Sequence, residues 1–307
     1  MTTAIEWCDV TWNPVVGCSR VSRGCDNCYA IGVAARNLCT QHKGLTKIRP
    51  RDASRPGPDW TGELRLVPQR LTEPLGWRKP RRVFVNSMSD LFHKGVPFPF
   101  VAAVLGVIAA SPGHTFIVAT KRPKRALEFF SWLREDAKAA ADSEMGDCLA
   151  HAASHIGSER WSARLEEIGM LSNIGDDPWP LPNLHLLASA EDQAAWSERV
   201  PALLDVPAAV RGVSAEPLLG PIVWPDGLEQ LDWLVIGGES GRGARPCGAP
   251  WIRDLATKAH AAGVAVFIKQ LGSTSVGAGT QPGKGNDPST WPEDLRVREL
   301  PRGERSQ

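Results

Sequence analysis

The chain has 307 residues, of which 42% are hydrophobic and 22% are charged, and its formal net charge at pH 7 is +1. This length suffices for one barrel-sized domain or two small ones. No apolar run approaches the ~20 residues of a membrane-spanning helix, and residues 1–7 lack the basic head and apolar stretch of a secretory signal. We therefore expect a cytoplasmic protein that does not contact a membrane.

Short apolar segments alternate with helix-like segments along most of the chain, a pattern typical of parallel strands joined by helices. We predict a first strand near Trp12, followed by strands at 83–85, 115–119, 184–188, 209–213, 231–236 and 264–268. The predicted helices begin near Asp26 and run to Asn37, and then cover 98–110, 124–141, 191–204 and 250–262. Six to eight such units predict an α/β fold, a full or partial (β/α) barrel.

Two segments depart from this alternation. Residues at about 137–182 are first alanine-rich and charged and then loop-like, which indicates a helical insertion. Residues 273–307 are rich in Gly, Pro, Ser and charge, and this composition predicts an extended or partly disordered tail. The expected organisation is a barrel domain over 1–272, with a cysteine-rich N-terminal loop, followed by the tail 273–307.

Polar side chains directly follow the predicted strands. In parallel βα barrels the loops at the carboxyl ends of the strands converge on one mouth, so we expect these side chains to ring one cavity. Loops are polar in any case, and this explains part of the pattern. The mixture of carboxylates, amides and cations suits a zwitterionic small molecule that bears an amino acid, a ribose and a base. The residues are Asn86, Ser87, Asp90, Thr120, Lys121, Arg122, Ser189, Glu191, Asp192, Ser214, Glu216, Glu239, Ser240, Lys269 and Gln270.

Cys18, Cys25 and Cys28, here called the motif cysteines, have the spacing C-x6-C-x2-C. Seven cysteines, an odd number without an export signal, indicate reduced thiols rather than a disulfide framework. Structural zinc takes four ligands, and His93 or His114 can complete a Cys3His set. Iron–sulfur clusters are normally held by four thiolates, so three leave one iron open for chemistry. We favour the cluster over zinc, because no second cysteine pair is present, and assign no role to Cys8, Cys39, Cys148 and Cys247.

Segment 41–82 carries an excess of positive charge, with eleven Lys and Arg against four Asp and Glu. Such a segment can follow the phosphate backbone of DNA or RNA, with Trp60 and Trp77 stacking on bases. A solvated basic face beside a core tryptophan explains the same composition equally well.

Several longer motifs carry a resemblance to a known family. They are the runs Ile5-Glu6-Trp7, Thr11-Trp12-Asn13-Pro14, Gly17-Cys18 and Gly24-Cys25-Asp26-Asn27-Cys28-Tyr29-Ala30, and later the segments 83–93, 120–123, 214–221, 237–241 and 291–298. The chain resembles a bacteriophage and bacterial family of unknown function, named after phage gene products thirty-seven and sixty-eight. The likeness covers nearly the whole chain except the insertion.

That family is similar to radical S-adenosylmethionine (SAM) enzymes, which have a (β/α) barrel with three cysteines after the first strand. The resemblance implies a [4Fe–4S] cluster whose open iron binds the amino and carboxylate groups of SAM and reduces it to a 5′-deoxyadenosyl radical. The spacing here is three residues longer than the common C-x3-C-x2-C. Residues 237–239 (Gly-Gly-Glu) also follow a late strand, whereas the SAM-amine motif of that superfamily follows the second.

The implied roles fall into three groups. Cys18, Cys25 and Cys28 would ligate the cluster; Tyr29, Asn86, Ser87, Ser189 and Glu239 would bind the cofactor; and Lys121, Glu216 and Lys269 would be catalytic. The leading hypothesis is an enzyme that modifies or repairs a nucleotide or a nucleic acid. The alternative is a nucleic-acid-binding protein with a structural zinc site and no redox chemistry. A partner protein is left open.

Overall fold

The structure, a computed structural model, describes residues 3, 5–36, 40–50, 56–172, 179–224, 230–277 and 283–301. The chain divides into two compact units, each of which is described by itself. The first unit comprises 1–20, 28–185 and 206–209, and the second comprises 21–27, 186–205 and 210–307.

Three parallel strands form the centre of the first unit, in the order β1 (Val10–Trp12), β6 (Arg82–Val85) and β7 (Thr115–Thr120). Trp12 lies opposite Val85, and Val85 lies opposite Val118. Two antiparallel ribbons accompany them, β2 (Val15–Val16) with β5 (Arg65–Leu66) and β3 (Thr46–Arg49) with β4 (Gly57–Trp60). The three central strands coincide with the apolar runs, because a strand covered on both faces is apolar throughout.

The helices of the first unit are α1 (Tyr29–Ala35), α2 (Phe98–Ala109), α3 (Pro123–Ala140), α4 (Glu144–His155) and α5 (Glu159–Ser172). Helix α2 is buried continuously from Phe100 to Ile108, so it is a core helix rather than an amphipathic one. A Cβ on Gly106 would lie 2.1 Å from the carbonyl oxygen of Cys148, which brings α4 against α2 backbone to backbone. The predicted insertion therefore contains two helices and packs on the core; its residues 173–178 lie outside the described residues.

The second unit contains the order β8-β9-β10-β12, with β8 at Leu184–Ser189, β9 at Val210–Ala215, β10 at Trp233–Gly237 and β12 at Ala265–Gln270. Strand β10 pairs in parallel with both β9 and β12. Helix α6 covers Gln193–Leu204, helix α7 covers Ala249–Ala261, and β11 (Cys247–Gly248) pairs with β13 (Ser275–Val276). Asp192 caps α6 by accepting the N–H of Ala195 at 3.0 Å.

The described part of the tail, 283–301, is packed on the second unit, although its composition suggested an extended or partly disordered end. The side chains of Trp291 and Leu295 are buried. The N–H of Ile268 donates to the carbonyl of Val297 at 2.8 Å, so the segment lies along β12. A small number of apolar residues is enough to pack this segment, because those residues are large and buried.

Short 3-10 turns complete the assignment, at Arg23–Cys25, Thr40–His42, Pro68–Arg70, Pro74–Gly76, Pro288–Thr290 and Glu293–Leu295.

The fold is a mixed α/β fold in which seven parallel-sheet strands alternate with helices, three wholly in the first unit and four, counting β8, in the second. This alternation agrees with a partial (β/α) barrel, and each predicted strand is present within about two residues of its predicted bounds. Within the described ranges, no helix combines the length and the apolar character needed to cross a membrane.

Candidate functional site

Cys18 and Cys28 lie on the same apolar support in the first unit. Both are partly buried against one core cluster, which consists of Val16, Ala30, Ile31, Ala34, Leu45, Trp60, Val67 and Met88. Cys28 is the residue at which α1 begins, and the apolar face of that helix supplies three members of the cluster. The burial of α1 therefore fixes the backbone that carries the third motif cysteine.

A buried charge network stands beside Cys18. The carboxylate of Asp90 accepts Nη1 of Arg122 at 2.7 Å and the backbone N–H of Lys121 at 3.1 Å. The other guanidinium nitrogen of Arg122 donates to the carbonyl of Ser19 at 3.0 Å. Burial lowers the pKa of Arg122, but Asp90 and the side chain of Cys18 outweigh burial and raise it. A fixed positive charge is thus placed next to the first motif thiol.

Of the two histidines that would complete a zinc site, His93 is engaged in hydrogen bonds and His114 lies at the amino end of a strand. Nδ1 of His93 accepts the N–H of Gly95 at 3.0 Å, so its Nε2 is the donor in the 2.7 Å contact with Ser19 Oγ. Burial, and next Arg122, lower the pKa of His93 to about 4. His114 precedes β7 at the amino end of that strand. Neither imidazole is therefore held ready as a fourth ligand.

Three of the predicted cofactor residues lie together at the carboxyl end of β6. Asn86 has a left-handed backbone, with φ of 59°, and its Oδ1 accepts the N–H of Val15 at 3.2 Å. Its Nδ2 is buried and has no hydrogen-bond partner among the described residues. Ser87 donates its hydroxyl to Asn13 at 3.1 Å, and its carbonyl accepts the hydroxyl of Tyr29 at 2.7 Å. Asn86 is thus the residue of this group with an amide donor to spare.

In the second unit, the loop that carries Cys25 is anchored on a buried carboxylate. The N–H of Gly24 donates to Oε1 of Glu191 at 3.1 Å, and Arg199 donates to Oε2 at 2.9 Å. The side chains of Glu191 and Arg199 are only 1% and 3% exposed. Arg199 also donates to the carbonyl of Ser189 at 2.7 Å, which ties the pair to the end of β8. Glu191 therefore fixes the backbone directly before the second motif cysteine.

Glu239 anchors the same loop at a second point. Its Oε2 accepts Nδ2 of Asn27 at 2.8 Å and Nε of Arg245 at 2.9 Å. Arg245 in turn donates to the carbonyl of Arg23 at 2.9 Å and to Asp26 at 3.3 Å. Burial raises the pKa of Glu239, but the hydrogen bonds from Arg245 and Asn27 outweigh it and lower the pKa below its ordinary value. The carboxylate of Glu239, a predicted cofactor residue, thus already accepts hydrogen bonds from other groups of the protein.

Glu216 and Lys269 form an ion pair at the carboxyl ends of β9 and β12, with 2.8 Å between Nζ and Oε1. Ser214 donates its hydroxyl to the other carboxylate oxygen at 3.3 Å. A Cβ on Gly237, which ends the intervening strand β10, would lie 2.8 Å from Glu216 Oε1. The carboxylate of Glu216 passes over Gly237 to reach Lys269. Two of the three predicted catalytic residues are therefore paired with each other.

Each of the first two motif cysteines directly follows a glycine at which any side chain would be too close to a neighbouring group. Gly17 has a φ of +93°, and a Cβ there would lie 2.3 Å from the carbonyl oxygen of Glu63. A Cβ on Gly24 would lie 2.9 Å from Cδ and from Oε2 of Glu191. The Gly-Cys pairs in the sequence therefore mark two places, at Gly17 and at Gly24, where a neighbouring group lies close to the backbone.

The motif cysteines differ from the other described cysteines in exposure. All three are of intermediate burial, whereas Cys8, Cys148 and Cys247 are buried. Burial raises the pKa of Cys247 to about 12, so that thiol is inert at neutral pH. Cys39 lies outside the described residues. Ligand thiols have to be reachable, and the motif cysteines meet this requirement.

The basic segment 41–82 is less available than its composition suggests. Trp60 is 6% exposed and belongs to the core cluster, so its predicted role in base stacking is wrong. Arg49 pairs with Asp59 at 3.4 Å, and Arg65 donates to three backbone carbonyls at 40–43. Residues 51–55 lie outside the described residues. Among the described residues of the segment, the exposed cations are Lys43, Lys47, Arg65, Arg78 and Lys79, and of these Arg65 is held by the backbone carbonyls just named.

Arg199 and Arg245 received no role from the sequence, and Arg122 was expected only as one of the polar residues around the cavity, yet each holds a carboxylate beside the motif. Arg122 follows a predicted strand directly, and this position was a usable signal. Arg199 and Arg245 lie inside a helix and a loop, where a single sequence offers no signal.

The fold and site define a class: an α/β protein with parallel strands in which a segment with three partly exposed cysteines is anchored by residues at the carboxyl ends of strands. Residues 2–293 match the model of a family described as "Protein of unknown function (DUF5131)". The chain belongs to this family. No curated protein and no solved structure matches it.

Proposed function

We propose that the protein is an iron–sulfur enzyme of the radical SAM type, with Cys18, Cys25 and Cys28 as cluster ligands. The observation that carries the proposal is the exposure of these thiols: all three are partly exposed, while the other described cysteines are buried in the core. Thiolates are the usual ligands of such clusters.

The surroundings of the thiols fit a cluster. The backbone N–H of Val21 points at Sγ of Cys25 at 3.5 Å, and Arg122 stands beside Cys18. Hydrogen bonds and positive charge around the sulfurs stabilise the reduced, more negative cluster. Neither His93 nor His114 supports the zinc alternative. When bound, the cluster would supply the electron that cleaves SAM.

The residues proposed to bind SAM now have unequal support. Asn86 carries a buried amide donor without a partner, and a ligand carboxylate or carbonyl would satisfy it. Ser87 and Glu239 are engaged by protein groups and act by shaping the site. Glu216 and Lys269, as an ion pair, are suited to moving a proton between carboxylate and amine, and Lys121 remains a candidate cation.

For the substrate we propose a nucleotide or a nucleic acid, bound in part by the exposed cations Lys43, Lys47, Arg78 and Lys79. Phosphate contacts make binding depend steeply on salt. A fluorescently labelled oligonucleotide that binds at low salt, and releases as salt rises, supports this assignment. Binding that is unchanged when all four residues are replaced by glutamine contradicts it.

The central experiment is anaerobic purification or reconstitution, followed by iron and sulfide analysis. We expect about four irons and four sulfides per chain with a broad visible absorption band, and loss of both in Cys25→Ser. Cys8→Ser is the matched control, since that thiol is buried outside the motif, and it should keep the cluster. Zinc in place of iron, or equal iron in both variants, would refute the cluster.

SAM use is tested separately on protein that contains the cluster. Reduced protein should convert SAM to 5′-deoxyadenosine. Asn86→Ala should weaken SAM binding with the iron content unchanged. A fully loaded protein that neither binds nor cleaves SAM would refute the SAM assignment and leave the cluster standing.

A further inference from the structure

A second group of metal-ligand side chains lies in the helical part of the first unit, on α3 and α4. Nε2 of His151 is 3.0 Å from Oδ2 of Asp136 and 3.6 Å from Oδ2 of Asp147. One ligand atom of each of the three residues lies within 4.8 Å of the other two. Asp147 and His151 are four residues apart on α4 and so share one helix face, which is turned to Asp136 on α3.

Asp147 gives an independent sign that something is missing from this group. Its side chain is 8% exposed, and its Oδ2, the atom that faces His151, is buried without a hydrogen-bond partner among the described residues. A buried carboxylate oxygen without a donor is costly. A cation between the three side chains would remove that cost.

The charges around Asp147 favour a cation as well. Two carboxylates, those of Asp136 and Asp147, face the single imidazole of His151. The group therefore contains more acidic than basic side chains.

The ligand types and the distances between them indicate which cation fits the three side chains. Zinc binds imidazole nitrogen and carboxylate oxygen at about 2.0–2.2 Å, and a tetrahedral arrangement then separates neighbouring ligand atoms by roughly 3.3–3.5 Å. The two observed separations lie on either side of this range. Magnesium and calcium prefer sites made wholly of oxygen ligands, and an imidazole in the set favours zinc.

We propose that Asp136, Asp147 and His151 form a binding site for one zinc ion that ties α4 to α3, with solvent as the fourth ligand. The site is separate from the motif cysteines and does not depend on the proposed function. Because α4 packs on the core helix α2, a bound ion would stabilise the docked insertion.

The test compares zinc binding and thermal unfolding of chelator-treated protein in three forms. Wild type should bind one zinc equivalent more than Asp147→Asn, and zinc should raise its unfolding midpoint by several degrees. Asp142→Asn is the matched control: it removes a neighbouring carboxylate outside the ligand set and should keep both the equivalent and the shift. His151→Gln should behave like Asp147→Asn, which guards against a defect peculiar to one variant.

Thiols are zinc ligands too, so the measurement is repeated with all three motif cysteines replaced by serine. If the triple serine variant still binds the zinc equivalent that Asp147→Asn removes, the site is the one proposed. If all bound zinc disappears with the cysteines, or if wild type and Asp147→Asn bind equally, the proposal is wrong. A site that takes manganese or magnesium but not zinc overturns the assignment of the metal.

Discussion

Replacing Gly24 by alanine tests whether the Cys25 loop is held by the buried carboxylate of Glu191. The added methyl group would lie 2.9 Å from Cδ and Oε2 of Glu191. The carboxylate cannot move aside at low cost, because Arg199 holds it at 2.9 Å and both side chains are almost fully buried. Gly24 must therefore move, and its hydrogen bond to Oε1 is lost with it.

The magnitude follows from two terms. Overpacking a buried site costs about 1–3 kcal/mol, and losing a hydrogen bond to a charged group costs about 1.5–3 kcal/mol. The loop can relax by leaving its position, which limits the sum, so we expect the free energy of unfolding to fall by about 2–4 kcal/mol. Urea denaturation measures it, and a faster reaction of the Cys25 thiol with an alkylating reagent reports the displaced loop.

Gly32→Ala is the matched control for Gly24→Ala. Gly32 lies inside α1, and a Cβ there meets nothing within 4 Å. Alanine at this position should stabilise the helix by about 0.5–1 kcal/mol. If the two variants are equally stable, or if Gly24→Ala unfolds like wild type, the loop is not anchored on Glu191.

Three further predictions concern other parts of the molecule. Gly106→Ala should lower the unfolding free energy by about 2–3 kcal/mol in urea, because the methyl group would push α4 away from α2. His185, whose pKa burial lowers to about 4, should make wild-type stability fall by about 3 kcal/mol between pH 6.5 and pH 4, since the unfolded chain takes up the proton first; His185→Leu should remove this part of the slope. Lys269→Met should leave the iron content and SAM cleavage unchanged and slow conversion of the nucleotide substrate by about 100-fold, because Glu216 loses its proton partner.

The first and third of these predictions have controls that the structure supplies. Gly113→Ala adds a methyl group in open space and should be harmless, and Lys258→Met removes an exposed lysine paired with Asp254 and should leave substrate conversion intact. Equal losses in variant and control would contradict the first and third predictions. Parallel stability curves of wild type and His185→Leu from pH 4 to pH 7 would contradict the second.

The strands and helices could be predicted because they depend on local pattern. The apolar run at 115–119 became β7 (Thr115–Thr120), and the run at 98–110 became α2 (Phe98–Ala109). Trp60 shows the limit: the charges around it in the chain hid its burial, because its core neighbours come from elsewhere in the sequence. The spacing of apolar residues, every second residue in a strand and roughly every 3.6 residues in a helix, shows which face of the element is apolar. It does not show which residues cover that face.

The sequence could predict which residues lie near the site, but it could not predict which residues they contact. Glu191 and Glu239 were expected at a polar rim, and they do follow strands. Their partners Gly24 and Asn27 are 167 and 212 residues away in the chain. No spacing rule spans such distances, so the sequence could not distinguish a carboxylate that waits for a ligand from one that holds a loop.

The use of buried charge to hold the Cys25 loop bears on what the loop is for. Replacing a buried ion pair by packed apolar residues is often neutral or stabilising, so stability alone does not explain the Glu191–Arg199 pair. Apolar contacts are also non-directional, whereas the hydrogen bonds from the backbone N–H of Gly24 and from the side chain of Asn27 hold the residues on both sides of Cys25. A thiol that merely filled space would not need this, but a metal ligand must be held close to one geometry before the metal arrives. The two carboxylates therefore favour a bound metal centre over a structural loop.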